Sequence, residues 1–435
     1  MTENNIYDVV IFGGGLNGLF LAYFLRKKYP HYKIAIVERA PQMGGLIETQ
    51  KVGSAELEKF YHHIFLTDTI LLETINTLNL ADKLVFKDSS IANLNQQVFQ
   101  PFVTPVDLLK YKGLSFFTKL KIGLYSLLIQ KDRNGDKYAN INSKEWITKK
   151  MGKEAWEKLW GPLFEGKFHD FAANLSLSFL WTRLHVRANS KKTGKEQLGY
   201  MKGSFSQISK KMVELLPTME IVFFNGAEIQ KITKADKDYQ IQIGGQTLKT
   251  KFIISTFSPI IFKKVFQEFI SADYLAKLNS VKYLAVICPT FILDKQLTPY
   301  YWTNIVDQQI PFKGIIEQTN LFDYPEYESN KIVYLSHYLK QDDPLLQKDD
   351  NYLKSYYLQN LEKAVGKKVE PKDIRINRAM FAQPVFTLDM NQDMIKFKTP
   401  IDNVFQCTMV NLLPMERGIN SSIHIANEFV NSINL

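Results

Sequence analysis

A glycine turn between an apolar run and a helix lies near the start of the sequence. Residues 7–12 (YDVVIF) form a short β-branched run, and Gly13, Gly15 and Gly18 follow it with GxGxxG spacing. Residues 16–28 then have the pattern of an amphipathic helix. In such a turn the first glycine allows the tight bend, the second lets backbone approach a diphosphate, and the third lets helix pack on strand. The pattern therefore predicts an anion-binding turn at the start of the first helix.

An acidic residue extends this pattern. A second apolar run, residues 33–37 (KIAIV), ends at Glu38, which lies twenty positions after Gly18. An acid at this distance, at the end of the second strand, accepts hydrogen bonds from the ribose of a bound dinucleotide. The order of strand, turn, helix, strand and acid is typical of a parallel sheet. We therefore expect a Rossmann-type dinucleotide site.

The rest of the chain indicates an α/β protein with interleaved domains. Its 435 residues exceed the size at which a single core usually stops growing. Residues 67–200 have a mainly helical pattern, whereas residues 239–243 and 247–254 read as a hairpin around Gly244 and Gly245. We find no internal repeat.

We predict three parts of the chain from these patterns. A Rossmann-type domain comprises residues 1–85, 201–260 and 400–435. Residues 86–200 form a helical insertion. Residues 261–399 form an α+β substrate-binding domain with a mixed sheet.

Composition excludes several classes of function. The formal charge is +10, but the lysines are scattered and no nucleic-acid module is present, so we expect no nucleic-acid partner. Cys288 and Cys407 are far apart, which argues against a disulfide framework or a zinc site and fits a cytoplasmic protein. No HExxH motif or calcium-loop spacing occurs, so we expect no metal. We also expect no secretory signal, because residues 9–12 lead into glycines and not into a cleavage site.

The sequence of one segment is compatible with contact to a membrane surface. Residues 114–130 (LSFFTKLKIGLYSLLIQ) form the most apolar stretch, but Lys119 and Lys121 interrupt it, and it is too short to span a bilayer. It can therefore be a helix of the core or a helix lying on a membrane surface.

Residues 38–49 (ERAPQMGGLIET) carry a resemblance to a known family. They resemble the flavin-binding stretch of the amine oxidase and protoporphyrinogen oxidase-like superfamily, which includes phytoene-type desaturases and UDP-galactopyranose mutases. In that superfamily the glycine doublet, here Gly44 and Gly45, lies near the flavin and is often flanked by arginines. Met43 and Leu46 stand at those positions here, so no argument rests on such an arginine.

The resemblance continues along most of the chain. Residues 58–65 (EKFYHHIF) and 160–168 (WGPLFEGKF) resemble segments of bacterial protoporphyrinogen oxidase-like proteins, and residues 413–420 (LPMERGIN) resemble the C-terminal flavin motif. A first turn combined with a last helix favours FAD over NAD. The predicted cofactor contacts are Gly13, Gly15, Leu16, Asn17, Gly18, Glu38, Arg39, Gly44, Gly45, Leu46, Glu228, Ile229, Arg417, Gly418, Ile419 and Asn420.

Three side chains are candidates for proton transfer. His62 and His63 can accept a proton as neutral imidazoles, or they can orient the flavin or fill the seam between domains. Lys167 can place a positive charge in the cleft or be solvated.

Five further residues are candidates for substrate binding. Arg183 and Arg187 lie four positions apart on a predicted helix and hence on one face. They can bind a substrate carboxylate or phosphate, or form structural ion pairs. The resemblance adds Glu317, Tyr338 and Gln383.

The resemblance implies an FAD-dependent oxidoreductase that dehydrogenates a small organic molecule. The flavin N5 would accept the hydride, and oxygen or another acceptor would reoxidise the flavin. A non-redox enzyme resembling UDP-galactopyranose mutase is the alternative, but it needs clustered arginines, and the candidates Arg183, Arg187, Arg375 and Arg378 are scattered. A flavin-binding protein without turnover is a third interpretation.

Overall fold

A computed structural model describes residues 5–192, 195–413 and 415–435. Within them the strands are β1 (Ile6–Phe12), β2 (Ile34–Glu38), β3 (Thr49–Val52), β4 (Ala55–Glu58), β5 (Ile64–Phe65), β6 (Leu84–Asp88), β7 (Ile91–Asn95), β8 (Val98–Pro101), β9 (Lys191–Lys192), β10 (Lys195–Met201), β11 (Ile221–Asn225), β12 (Ile229–Ala235), β13 (Asp238–Ile243), β14 (Gln246–Ser255), β15 (Lys282–Leu293), β16 (Trp302–Ile305), β17 (Gly314–Glu317), β18 (Lys331–Lys340), β19 (Pro371–Val385) and β20 (Val404–Gln406). The α-helices are α1 (Leu16–Lys28), α2 (Thr69–Thr77), α3 (Pro105–Lys110), α4 (Phe116–Lys131), α5 (Ser143–Lys150), α6 (Lys153–Ala155), α7 (Gly161–Phe168), α8 (Ser178–Asn189), α9 (Ser206–Thr218), α10 (Pro259–Val265), α11 (Ala272–Ser280), α12 (Asp350–Val365) and α13 (Ile419–Ser432).

The first large sheet contains the predicted strand–turn–helix unit. Its order is β11-β2-β1-β14-β13-β12, with β20 beside β14. The pairs of β1 with β2 and of β1 with β14 are parallel, and β12 to β14 form an antiparallel meander. All four residues of 9–12 are fully buried, as expected for a strand covered on both faces. The predicted hairpin is confirmed, because β13 and β14 pair on either side of Gly244 and Gly245.

The second large sheet has the order β19-β15-β18-β17-β16-β7-β8. Strands β7 and β8, together with β6, β9 and β10 of a smaller sheet, come from residues that the sequence pattern assigned to a helical stretch, so that assignment is wrong for residues 84–101 and for the strand residues from 191 to 200. These strands are short, and β7 pairs in parallel with the distant β16. Their pairing is therefore a tertiary effect that local periodicity does not show. Helices α3 to α8 follow between residues 105 and 189, where the helical prediction is confirmed.

Helix α4 is the segment with two predicted alternatives. Thr118, Ile122 and Ile129 are buried against the protein, whereas Leu120 and Leu124 are exposed. One face of α4 therefore belongs to the core and another carries apolar side chains at the surface. No helix within the described ranges is long and apolar enough to cross a membrane.

The architecture confirms the predicted fold class. A mostly parallel sheet with helices on it carries the first unit, a mixed sheet forms the second, and a run of helices is inserted between them. The division of the chain into three domains at the stated boundaries stays a prediction.

Candidate active site

A cavity of about 530 Å³, called the first cavity here, lies at the carboxyl ends of β1, β2 and β14. In sheets of this kind ligands bind outside the carboxyl ends of the strands. The structure brings fourteen of the sixteen predicted cofactor residues to its wall: Gly13, Gly15, Leu16, Asn17, Glu38, Arg39, Gly44, Gly45, Leu46, Glu228, Ile229, Arg417, Gly418 and Ile419. Their individual contacts to a cofactor stay predictions.

The turn before α1 leaves room for backbone contact. A Cβ atom added at Gly15 would meet only the Cα of Gly45, at 3.9 Å, so the space before this residue is open. Among the described residues no side chain caps the helix at Gly15, which leaves the first-turn N–H groups available to an anion. Gly18 has another role and does not line the cavity. Its Cβ would lie 2.0 Å from the carbonyl oxygen of Gly13, so only glycine allows this packing of helix on strand.

Glu38 is held at the end of β2 by the backbone around it. One carboxylate oxygen accepts a hydrogen bond of 2.7 Å from the N–H of Gly14, and the other accepts one of 2.7 Å from the N–H of Ala40. The carboxylate thus keeps a fixed orientation at the cavity wall. Its remaining lone pairs can accept hydrogen bonds from ribose hydroxyls.

The end of the chain closes the first cavity from another side. Gly418 precedes α13 without a side-chain cap among the described residues, and nothing lies within 4 Å of the Cβ that it lacks. Asn420 was predicted to contact the cofactor, but its side-chain oxygen accepts a hydrogen bond of 3.0 Å from the N–H of Leu71. Asn420 therefore ties α13 to α2 and lines a neighbouring cavity. Pro414, which belongs to the same motif, lies outside the described residues.

The first cavity fits a dinucleotide such as FAD. It has an open glycine turn for a diphosphate, an oriented carboxylate for a ribose, and a second approach from α13. The residues that surround it come from the beginning, the middle and the end of the chain.

Two further cavities lie beyond the first, of which the third adjoins the first and the second adjoins the third. The second, of about 290 Å³, and the third, of about 430 Å³, share Tyr61, Lys167, Arg183, Arg187, Trp302 and Tyr338 in their walls. His62 and Arg417 line both the first and the third cavity. These two residues therefore stand between the predicted cofactor site and the space available to a substrate.

Both candidate histidines are neutral at physiological pH. Burial lowers the pKa of His62 to about 4 and that of His63 to about 3. The Nδ1 of His62 lies 2.7 Å from the carbonyl oxygen of Phe60, which can only accept, so Nδ1 carries the hydrogen and Nε2 is an acceptor. The Nδ1 of His63 lies 3.1 Å from the hydroxyl of Tyr301.

Lys167 takes part in a cluster of charges around Glu416. The Nζ of Lys167 lies 3.7 Å from a carboxylate oxygen of Glu416, and Arg183 donates to the same oxygen at 2.9 Å. Burial, assisted by the charge of Arg183, holds the pKa of Lys167 well below its usual value. Burial would raise the pKa of Glu416, but Arg183 and Lys167 outweigh it and lower that pKa.

Arg187 and Arg417 also have protein partners. Arg187 donates at 3.1 Å to Glu196, which is a structural ion pair at the cavity wall. Arg417 donates to Gln383 at 3.0 Å and to the hydroxyl of Tyr338 at 2.5 Å. Four of the five predicted substrate residues, all but Glu317, therefore meet around the third cavity.

Glu317 lies elsewhere, so its prediction as a substrate residue is wrong. It is fully buried, and its carboxylate accepts hydrogen bonds of 2.7 Å from the N–H groups of Leu297 and Thr298. Its role is to order the loop before β16. The family segment around it predicted a pocket position, but the side chain points into the protein interior.

Several residues of the site were missed by sequence reasoning. Tyr61, Trp160, Trp302 and Glu416 line the second or third cavity. Tyr61 and Glu416 stand inside quoted family segments, directly beside His62 and Arg417, so their positions were available signals. Trp302 lies on a strand of the second sheet, and no local pattern distinguishes it from a core aromatic residue. Within the described part of the chain, no group of side chains could hold a metal ion.

The comparisons with known proteins agree with this geometry. The profile of the family described as flavin containing amine oxidoreductase matches residues 16–406. No curated protein matches the chain significantly.

Three solved structures illustrate the similarity of fold. A protoporphyrinogen oxidase-like protein from Exiguobacterium sp. 255-15 is 17% identical, with a TM-score of 0.79 and 98% of each chain covered. Putrescine oxidase bound to putrescine is 14% identical, with a TM-score of 0.74 and 98% of each chain covered. A CLA-producing fatty acid isomerase from P. acnes is 14% identical, with a TM-score of 0.71 and 99% of each chain covered.

The family match extends over most of the chain, from the helix of the glycine turn to β20. The glycine turn, Glu38 and the start of α13 supply a cavity that suits the cofactor of that family. The chain belongs to the flavin containing amine oxidoreductase family and is an FAD-dependent oxidoreductase.

Proposed function

We propose that the protein dehydrogenates a small organic molecule that carries an acidic group on an apolar or aromatic body. The observation that carries this proposal is the excess of positive charge in an aromatic cavity beside the cofactor site. The walls of the second and third cavities carry six basic side chains, Lys167, Arg183, Arg187, Lys191, Lys313 and Arg417, and three acidic ones, Asp68, Glu196 and Glu416. Even with Lys167 uncharged, the five other basic side chains outnumber the three carboxyl groups. An acidic substrate group would supply the missing negative charge.

The apolar part of the substrate has a matching surface. Trp160, Phe164, Phe179 and Trp302 line the second cavity. The indole N–H of Trp160 and the Nε–H of Arg183 have no hydrogen-bond partner among the described residues. Both donors lie in residues of this wall, which favours a ligand with acceptor atoms.

The charge of the site distinguishes it from that of an amine-binding enzyme. A diamine such as the putrescine bound to putrescine oxidase is cationic and would meet Arg183 and Arg417 with like charge. The fatty acid isomerase among the similar folds acts on an acid, which has the charge that this cavity favours. We therefore place the substrate among carboxylates or phosphates.

FAD, when bound, supplies the hydride acceptor at its N5. The substrate would give up a hydride to the flavin and a proton to the Nζ of Lys167, a group whose pKa is lowered by burial. Arg183 holds the acidic group. His62 uses its Nε2 acceptor to orient the substrate or to take the proton instead, and His63 shapes the cavity wall.

The mutase alternative receives less support. Arg375 is paired with Asp373, and Arg378 is paired with Asp350, and neither arginine lines the three cavities. Of the four candidate arginines, Arg183 and Arg187 line the second and third cavities, and each has an acidic partner. The arginine cluster that a sugar-nucleotide diphosphate requires is therefore incomplete.

Matched pairs of acids and amines test the proposal. FAD-loaded protein is titrated without oxygen with oleate and oleylamine, and with indole-3-acetate and tryptamine, while the visible flavin spectrum is recorded. We expect each acid to perturb or bleach the spectrum at lower concentration than its amine, because only the acid pairs with Arg183. Tighter binding of both amines would overturn the proposal.

The arginine assignment has its own control. Arg183→Gln is expected to weaken binding of the acids by about tenfold, with bound FAD unchanged. Arg378→Gln removes a similar ion-paired arginine outside the cavities and should leave binding unchanged. Equal effects of the two variants would contradict a role of Arg183 in the site.

A further inference from the structure

The helices α3 and α4 expose a patch of large apolar side chains, which we call the α3–α4 face. It consists of Val106, Leu109, Phe116, Phe117, Leu120, Leu124, Leu127 and Leu128. Their exposed fractions range from 48% for Leu120 to 75% for Phe117. Isolated exposed leucines are common on proteins, but eight such side chains on two adjacent helices form a patch of the kind that marks an interaction.

The position of these side chains on α4 shows that core packing does not explain them. At 100° per residue, Phe116, Leu120, Leu124 and Leu127 lie on one face of the helix. The buried residues Thr118, Ile122 and Ile129 lie on the opposite face. Helix α4 is thus apolar on two faces, of which only one contacts the protein.

The charged residues around this face are mostly basic, which favours a negatively charged partner. Residues 105–150 contain ten lysine or arginine and four aspartate or glutamate side chains, whereas the whole chain has a net charge of +10. More than half of the net charge therefore lies in about a tenth of the sequence. Lys112, Lys121 and Lys131 are exposed at the turn before α4, on it and at its end. A second copy of the chain would bring like charges together, so this distribution disfavours self-association.

We propose that the α3–α4 face docks on an anionic phospholipid bilayer. Phenylalanine and leucine side chains would enter the boundary between headgroups and acyl chains, and the lysines would contact anionic headgroups. The helix axis would lie along the surface, because α4 has 16 residues and carries its core contacts along its whole length.

The second cavity lies beside the start of α3 and the end of α4. Phe102 and Val103 precede α3, Gln130 lies in the last turn of α4, and all three line the second cavity. Docking would therefore place the aromatic cavity next to the lipid surface. This consequence rests on the proposed function, whereas docking itself does not depend on the reaction.

Sedimentation with vesicles tests the docking. The full chain loaded with FAD is mixed with vesicles of phosphatidylcholine and phosphatidylglycerol at a ratio of about three to one, and with phosphatidylcholine alone. We expect binding to the mixed vesicles that weakens as salt is added, and weaker binding to the neutral ones. Flavin content, read from the visible spectrum, reports separately on the cofactor site.

Two sets of variants separate the apolar and the charged contributions. A triple variant should reduce vesicle binding at least about tenfold; it carries Phe117→Ser, Leu124→Ser and Leu128→Ser. Val222→Ser with Leu275→Ser changes exposed apolar residues elsewhere and should leave it intact. Replacing Lys112, Lys121 and Lys131 with Gln should remove the preference for anionic vesicles, whereas Lys231, Lys237 and Lys251 changed to Gln should not.

Three outcomes would overturn the proposal. The first is absence of vesicle binding by the wild-type chain. The second is a dimer in sedimentation equilibrium that the serine variant converts to monomer, because a second copy would then cover the face. The third is equal loss of binding in the serine variant and its control. None of these outcomes bears on flavin reduction by acids, so failure of docking and failure of the proposed function are distinguishable.

Discussion

The pKa values of buried ionisable side chains in this protein are set by burial and by a few close partners. Glu58 at the end of β4 is almost fully buried and accepts hydrogen bonds from the hydroxyl of Tyr200 at 2.5 Å and the N–H of Phe205 at 2.6 Å. Burial outweighs these bonds and raises its pKa to about 7. In Lys167 burial lowers the pKa, because there the charged form is the protonated one.

The raised pKa of Glu58 predicts a specific dependence of stability on pH. Protonated Glu58 stabilises the fold below the unfolded-state pKa of about 4.3, and this contribution is lost as pH rises through about 7. In Glu58→Gln the side chain is neutral at every pH. We therefore expect the free energy of unfolding of the wild type to fall by roughly 2–3 kcal/mol relative to the variant between about pH 5 and 8.

Urea denaturation at several pH values measures this difference. Glu73→Gln changes an exposed carboxylate on α2 and serves as control, with an expected pH dependence like that of the wild type. Parallel pH curves for the wild type and Glu58→Gln would show that Glu58 is ionised in the folded protein.

The turn before α1 provides space for a ligand through the shape of its backbone and not through side chains. Its open space at Gly15 is bounded by the glycine doublet of another loop, since Gly15 and Gly44 form a β-bridge. Two separate glycine segments thus meet across the place where a diphosphate is expected. A side chain there would occupy ligand space without disturbing the fold.

Gly15→Ala should therefore affect cofactor binding selectively. We expect the affinity for FAD to fall at least about tenfold, because the added methyl group keeps the diphosphate from the helix N-terminus. Fluorescence titration of the apoprotein measures it. Gly123→Ala in α4 is a matched control, since its Cβ would also meet only one atom, at 3.9 Å. Unchanged FAD affinity in Gly15→Ala would refute the assignment of the turn.

Segments that are distant in the sequence meet at the wall of the first cavity. Its wall includes residues from β1 to the glycine doublet, from the segments 227–229 and 256–265, and from the segment 408–422. These four segments come from the beginning, the middle and the end of the sequence. A ligand in this cavity contacts all of them at once, and a ligand that binds only the folded state stabilises that state.

Removal of FAD should accordingly lower global stability. At a free FAD concentration about a hundredfold above the dissociation constant, we expect a gain of about 2.7 kcal/mol over the apoprotein. Thermal unfolding followed by circular dichroism at increasing FAD concentration measures it. An unfolding temperature independent of FAD would mean that the cofactor does not bridge these regions.

The sequence by itself was sufficient for features that depend on local backbone geometry. The spacing of Gly13, Gly15 and Gly18, the position of Glu38 and the hairpin at Gly244 are properties of short segments, and each has the predicted place in the structure. The spacing of glycines limits backbone conformation directly, so these features hold whatever the rest of the chain does.

Only the tertiary structure decided which distant side chains meet and which apolar faces stay exposed. Glu416 pairs with Lys167 and Arg183, which lie more than 200 positions away, and Glu317 turns into the interior instead of the cavity. The exposed face of α4 has the same residue types as a buried one. Ion pairing and burial depend on what packs opposite a side chain, and local periodicity contains no information about that partner.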